Sequence, residues 1–149
     1  MKISTVVESK SVDAMFKKLK SQFSKDIKKE LLATTEKAIT MIEDRTAKGK
    51  GYSGRFKPYS KEYAIFRSKK GRQTRFVDLN FKGTMLGAMK SKIDQQGSIS
   101  AKSLIGEISF TRATEAKKAM FNNQKRPFFG FNKREKDYLR KFFYKRLTK

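Results

Sequence analysis

The sequence contains neither cysteine nor histidine. Without cysteine there is no disulfide framework and no thiolate nucleophile, and without histidine the usual general base and the commonest zinc ligand are missing. No run of about 18 apolar residues occurs that could span a membrane, and the first residues lack the apolar core of a signal peptide. The sequence therefore predicts a protein with no cofactor and no membrane-spanning segment, kept in a cytoplasm or in something assembled there.

Acidic residues are also scarce, with 14 Asp and Glu against 37 Lys and Arg, so the net charge is +23. A charge of this size favours an anionic partner such as nucleic acid, an acidic protein surface or anionic lipid. The excess is uneven. Residues 48–75 contain ten basic residues and one acidic residue, and residues 132–149 contain eight and two, whereas residues 11–46 contain eight and six. We therefore expect the basic surface in the middle of the chain and in its C-terminal helix.

The periodicity of apolar residues predicts a single α+β domain over residues 1–149, a length typical of one domain. "KISTVV" alternates like a short strand, and a long amphipathic helix is expected from Ser11 to Arg45. Alternating apolar residues then predict an antiparallel hairpin from Met89 to Phe110, with its turn in "DQQGSIS", followed by a short helix with Thr114 as its N-cap. The apolar stripe of the long helix consists of Val12, Phe16, Leu19, Phe23, Ile27, Leu31, Ala38 and Ile42.

The segment from Lys48 to Arg75 follows no helical or strand period and is predicted to be a basic loop. It has few aliphatic residues and many like charges, so we expect it to be mobile in the free protein and ordered only in an assembly. Aromatic residues lie between its basic residues. This mixture is typical of nucleic-acid binding by stacking and phosphate contacts, and equally of protein interfaces; a simple solvated loop is the third interpretation. The predicted interface residues are Arg55, Lys57, Tyr59, Tyr63, Arg67 and Arg72.

The densest aromatic cluster lies in "KRPFFGFN", residues 125–132. Pro127 disfavours helix at Arg126, so this stretch is expected to be extended. Asn132, with Glu135 three residues later, predicts a capping box at the start of a final helix. Phe128, Phe129 and Phe131 are interpreted as fold-critical residues that pin this helix to the sheet.

Four elements in a fixed order resemble the tail-completion, or virion-morphogenesis, family of tailed bacteriophages. After a long N-terminal helix come "GRFKPYSKEY" (Gly54 to Tyr63), close to a "GxxFxPYSxxY" pattern, and "VDLNFKGTMLGAM" (Val77 to Met89). "AKKAMFNN" follows the hairpin, and "RPFFG" (Arg126 to Gly130) precedes the last helix. The resemblance extends from about residue 11 to the C-terminus, and no one of these motifs is specific alone.

The resemblance implies a structural protein of the virion neck with an α+β fold similar to tail-terminator proteins: the two long helices pack on a small antiparallel sheet. It implies a homomeric ring of six copies, or alternatively twelve, at the junction of head and tail. The expected partners are a head-closure or adaptor protein and a tail terminator or tube protein. The family has no catalytic residues to transfer to this chain. The charge of +23 is high for this role and points to contact with DNA in the portal channel or with acidic protein surfaces.

Two other function classes compete with this interpretation. A basic nucleic-acid-binding protein would explain the charge, although no helix-turn-helix, zinc-finger or ribonucleoprotein signature is present. A metal-dependent nuclease would need a cluster of carboxylates. Asp78, Asp94 and Glu107 are available, but their spacing is not that of a ligand set.

Overall fold

The computed structural model describes residues 9–96 and 103–148. The strand expected in "KISTVV" and most of the hairpin turn lie outside these residues. The described chain contains four helices: α1 (Ser9–Thr46), α2 (Lys61–Lys69), α3 (Ala113–Lys125) and α4 (Lys133–Leu147). Two antiparallel strand pairs complete it: β1 (Lys50–Gly51) with β2 (Gly54–Arg55), and β3 (Met89–Gln96) with β4 (Ser103–Phe110). The α+β fold expected from the sequence is confirmed.

Helix α1 lies across the β3–β4 hairpin, whose register pairs Met89 with Phe110 and Ile93 with Gly106. Gly106 makes this close approach possible, because a Cβ atom at this position would lie 2.3 Å from Oγ1 of Thr35 on α1. Thr35 is buried and donates its hydroxyl hydrogen bond to the Leu31 carbonyl at 2.8 Å. The buried end of the predicted apolar stripe therefore lies in the C-terminal half of α1, where Ala38 and Ile42 enter the core.

Helix α4 packs antiparallel on α1. An ion pair links the two helices at each end of the contact: Arg45 with Glu135 at 2.6 Å, and Glu30 with Arg146. The predicted capping box is present, because Glu135 N–H donates to the Asn132 side chain and the Glu135 carboxylate accepts from Asn132 N–H.

Although α1 is long enough to cross a bilayer, neither it nor any other helix in the described ranges is apolar enough to do so.

The core gathers residues from α1, from the segment that leads into β3, from α3 and from the extended aromatic segment. Its buried members are Ile42, Met85, Met89, Ala119 and Phe128. Phe128 is fully buried, and Phe129 and Phe131 pack against the cluster partly exposed.

The extended aromatic segment is held in place by side chains from α3 and α1. The Asn123 side-chain oxygen accepts from the backbone N–H groups of Phe128 and Phe129, at 3.0 and 2.9 Å. The Arg45 guanidinium donates to the carbonyls of Phe128 and Gly130 on the other side. The segment thus joins the end of α1 to the start of α4, and its rings fill the space between them.

The prediction of an irregular loop from Lys48 to Arg75 is wrong, whereas its mobility in the free protein stays a prediction. The segment contains the β1–β2 pair and helix α2, which begins at an N-cap serine, Ser60. Tyr52 N–H donates to the Pro127 carbonyl at 3.2 Å, and a Cβ at Gly51 would lie 2.0 Å from that oxygen, so the strand pair is fixed to the aromatic segment. Aromatic and ionic contacts replace the missing aliphatic ones.

The short-helix prediction was correct in place but not in its cap. Helix α3 begins two residues earlier than expected, and Arg112 occupies the N-cap position without a side-chain hydrogen bond. Thr114 therefore lies inside the first turn.

Candidate interaction cleft

A cleft of about 650 Å³ opens between α2, the segment after it, and α3. All the elements that carry the resemblance contribute to its wall. Tyr59, Ser60 and Tyr63 come from the first motif, and Leu79, Phe81, Lys82, Gly83, Thr84 and Met85 come from the second. Lys118, Asn122, Lys125 and Arg126 come from α3 and its C-terminal cap, and Arg67 completes the lining from α2. Sequence elements far apart in the chain therefore form one concave surface.

Arg67 forms the centre of the cleft wall and is only 1% exposed. Its guanidinium binds the Asp78 carboxylate at 3.1 Å and also donates to the carbonyls of Gln73 and Asn80, at 3.1 and 3.2 Å. Its central carbon lies 4.6 Å from the centre of the Tyr59 ring. Arg67 is therefore buried and not exposed as expected, since its donors are directed into the protein; its place in an interface stays a prediction.

Asp78 collects donors from three parts of this region. It accepts from Gln73 Nε2 at 2.7 Å, from the Tyr59 hydroxyl at 3.1 Å and from Asn80 N–H at 3.0 Å. Leu79, which lies between Asp78 and Asn80 in the chain, has a left-handed backbone conformation with a φ of 52°. That conformation costs about 1–2 kcal/mol for a side chain with a Cβ. The hydrogen bonds to Asp78 and to the Asn80 carbonyl hold this turn in place.

The Tyr59 hydroxyl is held in its neutral form. Burial, followed by the negative charge of Asp78, raises the pKa of Tyr59 to about 12. A neutral phenol can donate to Asp78, whereas a phenolate could not. Tyr59 is thus a structural donor in the cleft wall at neutral pH.

The aromatic rings at the cleft form a continuous ladder. Tyr59 contacts Tyr63 edge to face at 5.2 Å between ring centres, Tyr63 stacks on Phe66 at 6.0 Å, and Phe66 stacks on Phe81 at 5.7 Å. The Arg72 guanidinium lies 5.8 Å from the Phe81 ring centre. The ladder ties α2 to the segment after it and leaves Tyr63 41% exposed at the cleft.

The cleft lining is cationic. Five of its residues are Lys or Arg, and none is acidic. Asp78 neutralises Arg67, and Glu115 neutralises Lys118 at a distance of 2.9 Å. The hydrogen bond from Lys118, together with the one from Thr84, holds the pKa of the Glu115 carboxyl below its usual range. Within the described ranges, Lys82, Lys125 and Arg126 form no ion pair, and the buried Nε of Arg126 has no hydrogen-bond acceptor.

The structure brings together only part of the predicted interface set. Tyr59, Tyr63 and Arg67 line the cleft, whereas the exposed Arg55 and Lys57 and the exposed Arg72 do not. Sequence reasoning missed the other aromatic and basic residues of the lining: Phe81, Lys82, Lys118, Lys125 and Arg126. The one sequence signal for them was the pair of basic residues directly before Pro127.

Among the described side chains, the carboxylates considered for a nuclease form no metal site. Asp78 is engaged by Arg67 and Gln73, Glu107 is exposed on β4, and the side chain of Asp94 lies outside the described residues. Over 9–96 and 103–148, no group of three or more acidic residues comes close enough to hold a metal ion.

Comparison with protein-family models, with curated protein sequences and with solved structures gave no match to this chain.

Proposed function

We propose that the chain is a structural protein of the bacteriophage neck that joins head and tail as part of a homomeric ring. The observation that supports this best is the convergence of its motifs. "GRFKPYSKEY", "VDLNFKGTMLGAM", "AKKAMFNN" and the start of "RPFFG" line one cleft, although the chain separates them by up to about 60 residues. Together these motifs supply aromatic and basic side chains to one concave surface.

The role of such a protein is a contact and not a turnover. The cleft offers rigid aromatic and basic side chains on one concave surface, which are the residue types enriched as anchors in protein interfaces. The exposed Arg55 and Lys57, which precede Tyr59 in the chain, add further basic surface. We propose that this face meets the adjoining ring, either a head-closure or adaptor protein or a tail terminator or tube protein, and that six copies, or alternatively twelve, form the ring.

The location of the protein in particles tests this proposal. Antibodies against the chain, carrying gold, are applied to purified particles of the virus that encodes it and viewed by electron microscopy. We expect label confined to the junction of head and tail. Particles that lack the protein, or that carry it only inside the head with the DNA, would contradict the proposal.

Nucleic-acid binding is the second candidate function, favoured by the net charge of +23 and by the ten basic residues between 48 and 75. When a protein binds DNA by neutralising phosphates, the logarithm of the binding constant falls linearly with the logarithm of the salt concentration. The slope is about −0.9 for each phosphate contacted on duplex DNA. A titration of the purified protein with duplex DNA at several salt concentrations measures this slope. Tight binding at physiological salt with a steep slope would favour the nucleic-acid function, and weak binding there would favour the neck role.

A further inference from the structure

We infer that the cleft binds a carboxylate-bearing acidic segment of another protein. The inference deepens the proposed function and rests on it for its biological meaning, although the binding itself can be measured without a virus. Its basis is the lining: Lys82, Lys125 and Arg126 have no ion pair in the described part of the chain, and no acidic residue faces them in the cleft. Three unneutralised cations around one concavity are complementary to carboxylates.

The aromatic rings favour carboxylates over stacked nucleic-acid bases. A base binds the face of a ring, but the faces of Tyr59 and Phe81 are already engaged. The Arg67 and Arg126 guanidiniums lie over Tyr59, and Phe81 is covered by Phe66 and Arg72. The edges of these two rings remain available to a ligand. Ring edges carry partial positive charge and attract anionic oxygens.

A second copy of this chain is a poor occupant. Its net charge of +23 opposes approach to a basic cleft. Several of its carboxylates are also already paired with cations of the same chain: Glu30, Asp78, Glu115, Glu135 and Asp137. A different protein with an acidic surface segment fits better.

The size of the cleft limits how much of the partner enters it. Its volume of about 650 Å³ lies within the range of about 300–1,000 Å³ typical of ligand pockets. A short segment with a few side chains therefore fits, while the rest of the partner would meet the surface outside the cleft.

The test uses the full chain and a dye-labelled oligoglutamate peptide, with binding followed by fluorescence anisotropy at near-physiological salt. The cleft variant carries Lys82→Glu and Lys125→Glu. The matched control carries Lys141→Glu and Lys145→Glu, which changes the net charge equally on α4. All four lysines are exposed, so both variants should keep the thermal stability of the wild type. We expect peptide affinity to fall about tenfold or more in the cleft variant and about twofold or less in the control.

A second measurement needs no substitution. Carbodiimide joins carboxylates to nearby lysines, and mass spectrometry of the wild-type complex identifies those lysines. We expect crosslinks at Lys82, Lys118 and Lys125. Crosslinks spread over all exposed lysines, or no peptide binding at all, would overturn the inference.

Two further outcomes of the anisotropy experiment would also overturn it. Equal loss in both variants would mean that the peptide senses only the total charge. An oligothymidylate of the same charge that binds the cleft in place of the peptide would make the occupant a nucleic acid. Any of these results would leave the gold-labelling test of the neck role standing, and label away from the neck would leave carboxylate binding intact.

Discussion

Replacing Arg67 with alanine tests whether this residue stabilises the fold or serves only as an interface residue. The interface role was expected because Arg67 lies in a basic segment. The substitution removes the ion pair to Asp78, two hydrogen bonds to backbone carbonyls and the contact with the Tyr59 ring. Removing one partner of a buried pair costs about 3–5 kcal/mol. Asp78 keeps its donors from Gln73 and Tyr59, so we expect the lower end, about 3 kcal/mol.

That loss is large beside the total stability of about 5–15 kcal/mol usual for a domain. At about 2–4 °C for each kcal/mol in a chain of this size, the melting temperature should fall by about 6–12 °C. Circular dichroism during heating measures it. The control is Arg72→Ala, an exposed neighbour whose loss removes only its contact with the Phe81 ring and should cost at most about 1 kcal/mol. An Arg67→Ala protein that melts with the wild type would refute the reasoning and return Arg67 to the interface.

Three more predictions concern the fold. Phe128→Ala, which empties a fully buried site, should cost about 3–5 kcal/mol in chemical denaturation, whereas the exposed Phe121→Ala should be near neutral. Spectrophotometric titration should show one tyrosine that ionises near pH 12, and this transition should be absent in Tyr59→Phe. Because folding raises the pKa of Tyr59 from 10.0 to about 12, the stabilising effect of its neutral hydroxyl is present below pH 10.0 and is lost as the pH rises through 12. Gly106→Ala should destabilise the protein by its clash with Thr35, and Thr35→Ala should partly rescue it; additive losses would argue against that contact.

Periodicity in the sequence was enough to predict the regular framework. The long helix was expected from Ser11 to Arg45 and is observed from Ser9 to Thr46, and the hairpin and the capping box at Asn132 lie where they were expected. Local sequence patterns predict these elements, either through the spacing of apolar residues or through a side chain that caps the nearby backbone.

The segment from Lys48 to Arg75 could not be predicted in the same way, because what folds it is distant in sequence. Arg67 is buried by Asp78, eleven residues further along, and Gly51 is glycine because the Pro127 carbonyl lies against it. A basic residue in a basic stretch gives no local sign that a carboxylate elsewhere neutralises it. Only three residues of the cleft lining were predicted, for the same reason, since Lys125 and Arg126 reach it from the end of α3.

The most direct test of the proposed role is a deletion of the gene from the genome that encodes this chain, with the resulting lysate examined by electron microscopy. Because a joining protein provides only a contact, its loss should leave both halves intact but separate. We expect DNA-filled or leaking heads beside free tails, no infectious particles, and recovery of joined particles when the wild-type chain is supplied in trans. Joined, infectious particles without the protein, or a failure to replicate or package DNA, would contradict the neck role and favour nucleic-acid binding.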